Sequence, residues 1–131
     1  MAQYFKWDPA YFTVNVPELD NEHQLLIAKM NAVYDAQSTN KNVTEVAQLM
    51  HDFAAYAGKH FSDEEEFMTK TNYEGIEEHK AIHRQLIKQI NDYVAVFDKS
   101  GKVSNDFFRF FSLWLTSHIR GVDIKYSPKR R

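Results

Sequence analysis

The chain has 131 residues, of which 44% are hydrophobic and 26% charged, the composition of one soluble globular domain rather than a disordered segment. Lys plus Arg number 16 and Asp plus Glu 18, a net charge of -2 with no long basic block, so neither nucleic acid nor an anionic membrane is an expected partner. There is no cysteine, which excludes disulfides, thiolate nucleophiles, zinc fingers and iron–sulfur ligation and leaves His, Asp and Glu to hold any metal.

The opening MAQYFKWDPAYF contains an acid and a proline and lacks the apolar run of a secretory signal. No stretch is long and apolar enough to span a bilayer. A cytoplasmic location, no membrane insertion and a monomer are the expectations.

Residues 1–18 form an expected arm lying along the domain. A first helix is expected over about 19–37, with Asp20 as its cap and His23, Leu26, Ile27, Met30, Val33 and Tyr34 along one face. Residues 38–42 read as a turn. The second helix, 43–70, carries the stripe Val46, Leu49, Met50, Phe53, Ala57, His60, Glu64, Phe67 and Met68. Residues 71–75 break it. The third, 76–97, carries Ile76, His79, His83, Leu86, Ile90, Val94 and Phe97, and 98–101 stops it. The fourth, 104–120, opens on Ser104 and carries Phe107, Phe108, Phe111, Trp114, Leu115 and His118. A short basic tail follows from 127. Pro9, Pro17 and Pro128 fall outside the interiors of these segments, which leaves them free to be helical. Four amphipathic helices on short connections predict a single all-α domain, 1–131, folded as an antiparallel up-down-up-down four-helix bundle.

Every stripe contains histidine. A lone histidine on an apolar face is usually a satisfied core residue. Five of them with a glutamate, facing one interior, are another matter, because each buried polar group without a partner costs a few kcal/mol. A shared metal removes that cost. The sixth histidine serves as a control: His51 lies nine positions before His60, about 180° round the same helix, and should face solvent. His60 and Glu64 are i, i+4, as are His79 and His83, so each pair projects from one face. His118 and Asp123 are i, i+5, about 140° apart on a regular helix. Gly121 between them can end the helix and let the acid turn back. Glu65 lies about 100° round from Glu64 and is at best a partner to a ligand. Five imidazoles and two carboxylates exceed the needs of one ion and suit two, with iron the best match and manganese, cobalt or zinc possible.

The motifs resemble those of the hemerythrins, with the single-domain bacteriohemerythrins most similar. His60-Phe61-Ser62-Asp63-Glu64-Glu65-Glu66-Phe67-Met68 is similar to the family's H-F-x-x-E-E-x-x-M, His79-Lys80-Ala81-Ile82-His83 to its H-x-x-x-H, and His118-Ile119-Arg120-Gly121-Val122-Asp123 to its H-I-x-x-x-D. Pro17-Glu18-Leu19-Asp20-Asn21-Glu22-His23 resembles the start of its first helix. The resemblance implies two non-heme iron ions. His79, His83 and His118 would hold one, and His23 and His60 the other. Glu64, Asp123 and an oxo or hydroxo group would bridge them. Dioxygen would bind at the second iron in a pocket of Leu26, Phe61, Trp114, Leu115 and Ile119. The implied function is reversible oxygen binding for storage or delivery inside the cell, without catalysis and with an oxygen-consuming enzyme as recipient. A di-iron oxidoreductase (oxidase, peroxidase or nitric oxide handling) and an oxygen or iron sensor are the alternatives. An imidazole-rich site favours carriage, because carboxylate-rich di-iron bundles supply four or more acids.

Overall fold

A computed structural model of the chain describes residues 5, 8, 13–39, 41–121 and 123–126. These residues contain four α-helices and no strand: α1 Pro17–Ser38, α2 Val43–Lys70, α3 Ile76–Ser100 and α4 Asn105–Gly121, followed by a 3-10 turn, Asp123–Tyr126. No helix among them is long and apolar enough to cross a membrane.

The helix boundaries follow from local chemistry. α1 starts at Pro17, earlier than its stripe suggests, because proline's fixed φ and missing N–H suit the first helical position. Asp20 is therefore not the cap. It lies inside the first turn, and its carboxylate accepts the Val14 N–H at 2.8 Å and the Thr13 hydroxyl at 2.6 Å, fastening the incoming chain. α2 is capped by Asn42, whose side-chain oxygen accepts the Glu45 N–H at 2.9 Å. α3 continues past Phe97 to Ser100, because Asp98, Lys99 and Ser100 are polar without being helix breakers. Gly101, at φ 75°, ends it, and its N–H closes on the Phe97 carbonyl at 2.7 Å. Ser104 caps α4 by accepting the Asp106 N–H at 3.0 Å.

The connections 39–42, 71–75 and 101–104 are short, so successive helices run antiparallel. The apolar stripes meet in one core that includes Leu26, Met30, Met50, Phe53, Leu86, Ile90, Phe107, Phe108, Phe111 and Leu115. Tyr34 packs edge-to-face on Phe108 at 5.1 Å, closing α4 onto α1, and Tyr93 packs on Phe107 at 5.4 Å, closing it onto α3. Two amide side chains fasten the irregular segments. Gln37 bonds the Val103 carbonyl and N–H at 2.7 and 2.6 Å. Asn31 bonds the Phe5 carbonyl and N–H at 2.6 and 2.9 Å, which lays that part of the arm along the bundle. Most of the expected arm before residue 13, and all of the tail from 127, lie outside the described residues.

Candidate metal centre

Each helix delivers its donors from the inward stripe. α1 brings His23, α2 His60 and Glu64, α3 His79 and His83, and α4 His118. Asp123 comes from the 3-10 turn: α4 ends at Gly121, and the next described residue has its carboxylate 2.8 Å from His118 Nε2. All seven side chains are at most 3% exposed. His51, by contrast, is 54% exposed and pairs with Asp98 at 3.0 Å on the surface.

The two carboxylates occupy the middle, and each divides its oxygens. Glu64 Oε2 faces His23 and His60 at 3.2 and 3.3 Å, and Oε1 faces His83 at 3.0 Å and His79 at 3.8 Å. Asp123 Oδ2 faces His23 at 3.1 Å, and Oδ1 faces His79 at 2.9 Å and His118 at 2.8 Å. The donors form two groups with atoms close enough to share an ion. One is Glu64, His79, His83, His118 and Asp123. The other is His23, His60, Glu64 and Asp123. They share only the carboxylates and differ by one imidazole.

The electrostatics are those of opposite charges compressed in a dry space. Burial pushes the Glu64 carboxyl up, but His60, His23 and His83 outweigh it and hold the group well below the usual carboxylate range. Burial and Glu64 push Asp123 up, and His118 and His23 reverse this, leaving it below its ordinary value. Burial pushes His60 down, but Glu64, Glu22 and Asp123 raise it to about 10. His23 is raised as well, burial being outweighed by Asp123 and Glu64.

A cation fits this arrangement better than the protein's own protons do. His83 Nε2 and both Asp123 oxygens are within hydrogen-bond distance of site atoms but lack hydrogen-bond angles. His79 and His118 turn Nε2 toward Nε2 at 3.2 Å. In each group the candidate ligand atoms all lie within 4.8 Å of one another, close enough to share one ion. Imidazole and carboxylate together suit iron, manganese, cobalt or zinc, and calcium and magnesium poorly.

Outside this set, Glu65 accepts from His83 Nδ1 at 2.9 Å and Glu22 from His60 Nδ1 at 2.8 Å. A carboxylate on Nδ1 fixes the tautomer and leaves Nε2 free for a metal. The spacing places Glu65 near the site. Glu22 has no such signal, since its partner is 38 positions away and only the register of α1 against α2 joins them. Two of the five expected pocket residues, Phe61 and Trp114, pack against donor imidazoles. Leu26, Phe61, Leu115 and Ile119 are buried, and Trp114 is half-buried. Phe61 stacks on His83 and Trp114 on His118, each at 4.2 Å.

Comparison with known proteins agrees with this geometry. Residues 14–129 match the hemerythrin HHE cation binding domain. A myohemerythrin of Theromyzon tessulatum is 30% identical over 95% of this chain and 92% of its own length, and a bacteriohemerythrin of Pseudomonas paraeruginosa is 30% identical over 82% and 70%. A crystal structure of wild-type hemerythrin superposes with a TM-score of 0.86 at 31% identity, covering 95% of both chains. With its bundle and its buried His, Glu and Asp donors, the chain belongs to the hemerythrin family.

Proposed function

We propose that the protein binds dioxygen reversibly at a non-heme di-iron centre held by His23, His60, Glu64, His79, His83, His118 and Asp123. One observation carries the reading: two donor groups share both carboxylates and differ by one imidazole. A di-iron pair, when bound, supplies the reversible two-electron chemistry that lets dioxygen attach and leave.

The rest is the work of the chain. Glu64 and Asp123 span both halves with one oxygen toward each. His79, His83 and His118 fill one half, and His23 and His60 leave the other one donor short, open to a gas molecule. Glu65 and Glu22 hold the rings of His83 and His60 with Nε2 facing inward. Leu26, Leu115 and Ile119, with Phe61 and Trp114, keep water and its protons away. Only two carboxylates enter the shared set, against four in the carboxylate-rich di-iron bundles, which favours carriage over oxygenation. The role that follows is a single-chain oxygen store or donor inside the cell, serving an oxygen-consuming enzyme rather than turning over substrate.

The test is the visible spectrum of the reduced, iron-loaded protein. Admitting oxygen should produce a new band, and removing it should abolish that band over repeated cycles. A protein that never reverses, and instead consumes oxygen steadily with a reductant, is an oxidase and ends the carrier reading.

A further inference from the structure

Two acids outside the donor set touch it, one in each half. Glu22, on α1, accepts from His60 Nδ1 at 2.8 Å, and Glu65, on α2, accepts from His83 Nδ1 at 2.9 Å. His60 belongs to the four-donor half and His83 to the five-donor half. The two acids are held differently. The Glu22 side chain is 13% exposed, and its second oxygen lies 3.5 Å from Lys59 Nζ, which also meets Asp63 at 2.7 Å. Val16, Leu19 and Phe67 line the surface cleft in which Glu22 sits. The Glu65 side chain is 29% exposed.

Holding a ring in place needs only an acceptor, which an amide oxygen would supply as well. A carboxylate adds a negative charge behind the ring, and that charge makes Nε2 a stronger donor. Its weight depends on how many ligands share the metal. His83 is one of three imidazoles in its half, and His60 is one of two. The half with fewer donors is also the one with room for dioxygen, which attaches by drawing electron density from the metal beneath it. A charge behind His60 therefore acts where the gas is held. The less exposed Glu22 is also screened less by water than Glu65 is.

We propose that Glu22 sets how tightly the four-donor half holds dioxygen, its carboxylate strengthening His60 as a donor. This rests on the di-iron reading above. Glu22 is a positioning residue that acts through His60 and touches neither metal nor gas. Lys59, the neighbour of His60 on α2, fixes the carboxylate by taking its second oxygen, so that the first stays on the ring. Glu65 does the same for the filled half and has little influence on the affinity for oxygen.

The experiment compares Glu22→Gln with Glu65→Gln, each of parent size and each keeping an oxygen for the Nδ1 proton. Glu22→Gln should raise the oxygen concentration at half-saturation roughly tenfold, the lower end of what losing such a partner costs at a metal site. Iron content and melting midpoint should stay near the parent values, whereas a merely structural role would move those instead. Glu65→Gln should shift the half-saturation far less. A second readout needs neither iron nor oxygen. In the zinc-loaded protein the His60 Nδ1 proton should resonate far downfield, as a proton held by a carboxylate does. Glu22→Gln should move that resonance upfield and leave the His83 proton in place, and Glu65→Gln should do the reverse. Parent-like oxygen affinity in Glu22→Gln, equal shifts from the two variants, or an unmoved His60 proton overturns the proposal. A parent protein that forms no reversible oxygen band overturns the carrier reading instead, whatever the zinc-loaded spectra show.

Discussion

Toward the 101–104 connection, Phe53 meets Phe107 and Phe111 edge-to-face at 5.5 and 4.8 Å, and Met50, Ile90 and Phe97 are buried with them in the apolar core. Two turns along the same helices, five imidazoles and two carboxylates occupy the same layer. The first region is stable because its side chains have left water. The second is stable only as far as its charges find partners, and proton-mediated pairs are a poorer solution than a cation. One region holds the bundle together, and the other uses the rigidity so gained to keep seven donors aimed at two points.

Metal removal breaks this comparison most severely. Stripping the iron leaves seven buried donors to satisfy one another, and each unsatisfied buried polar group costs roughly 1–3 kcal/mol. The apo protein should melt well below the loaded form. Amide exchange should quicken around His60, His79 and His118 while residues around Phe53 and Phe107 stay protected. Uniform quickening along every helix would mean that the apolar region does not stand alone.

Leu115→Ala probes the seam between the regions. Leu115 is 1% exposed, and truncation at such a site costs about 2–5 kcal/mol. The variant should still load two irons and bind oxygen, but its oxygenated band should decay markedly faster, because the wall that excludes water and protons is thinner. Stopped-flow mixing with oxygen reads this, and an unchanged decay rate removes Leu115 from the pocket.

The apo protein should also carry a pH signature confined to the polar region. Glu64 and Asp123 are depressed, so they stabilise the fold above about pH 4, the unfolded carboxyl range, and that contribution disappears as pH falls. His60 is raised from 6.5 to about 10, so its contribution is complete below pH 6.5 and is lost as pH rises toward 10. Urea midpoints of the apo protein should therefore be highest between these limits. Because iron requires neutral imidazoles, loading at neutral pH should release protons. A midpoint that climbs steadily from pH 6.5 to 10 contradicts the pairing.

The smallest effect belongs to the control. His51→Ala deletes an exposed pair with Asp98 and should change stability by no more than about 0.5 kcal/mol, with iron content unaltered. His60→Ala, on the same helix, should lose iron. Equal damage from both would mean that the face of α2 is wrongly assigned.

The bundle was legible because its information is periodic: His23, Leu26, Ile27 and Met30 state a helical face without knowledge of any neighbour. Boundaries were less so. Asp20 looks like a cap, and Pro17 takes that end of the helix; Asp98 and Ser100 look like a stop, and Gly101 is the residue that stops it. The donors could be found because histidines on four inward stripes are costly unless joined. What spacing does not contain is contact between helices. That Glu22 holds His60, and that Glu64 turns one oxygen to each half of the site, depends on how α1, α2 and α3 lie against one another.

The division of the donors into two groups that share Glu64 and Asp123 is tested most directly by counting metal. Anaerobic titration of the apo protein with ferrous iron, followed by metal analysis after desalting, should show two ions retained per chain. His23→Ala should retain fewer than two while keeping the ion of the five-donor group. A single ion per chain in the parent protein, or two ions that survive loss of Asp123 in Asp123→Ala unchanged, would contradict a shared two-metal centre.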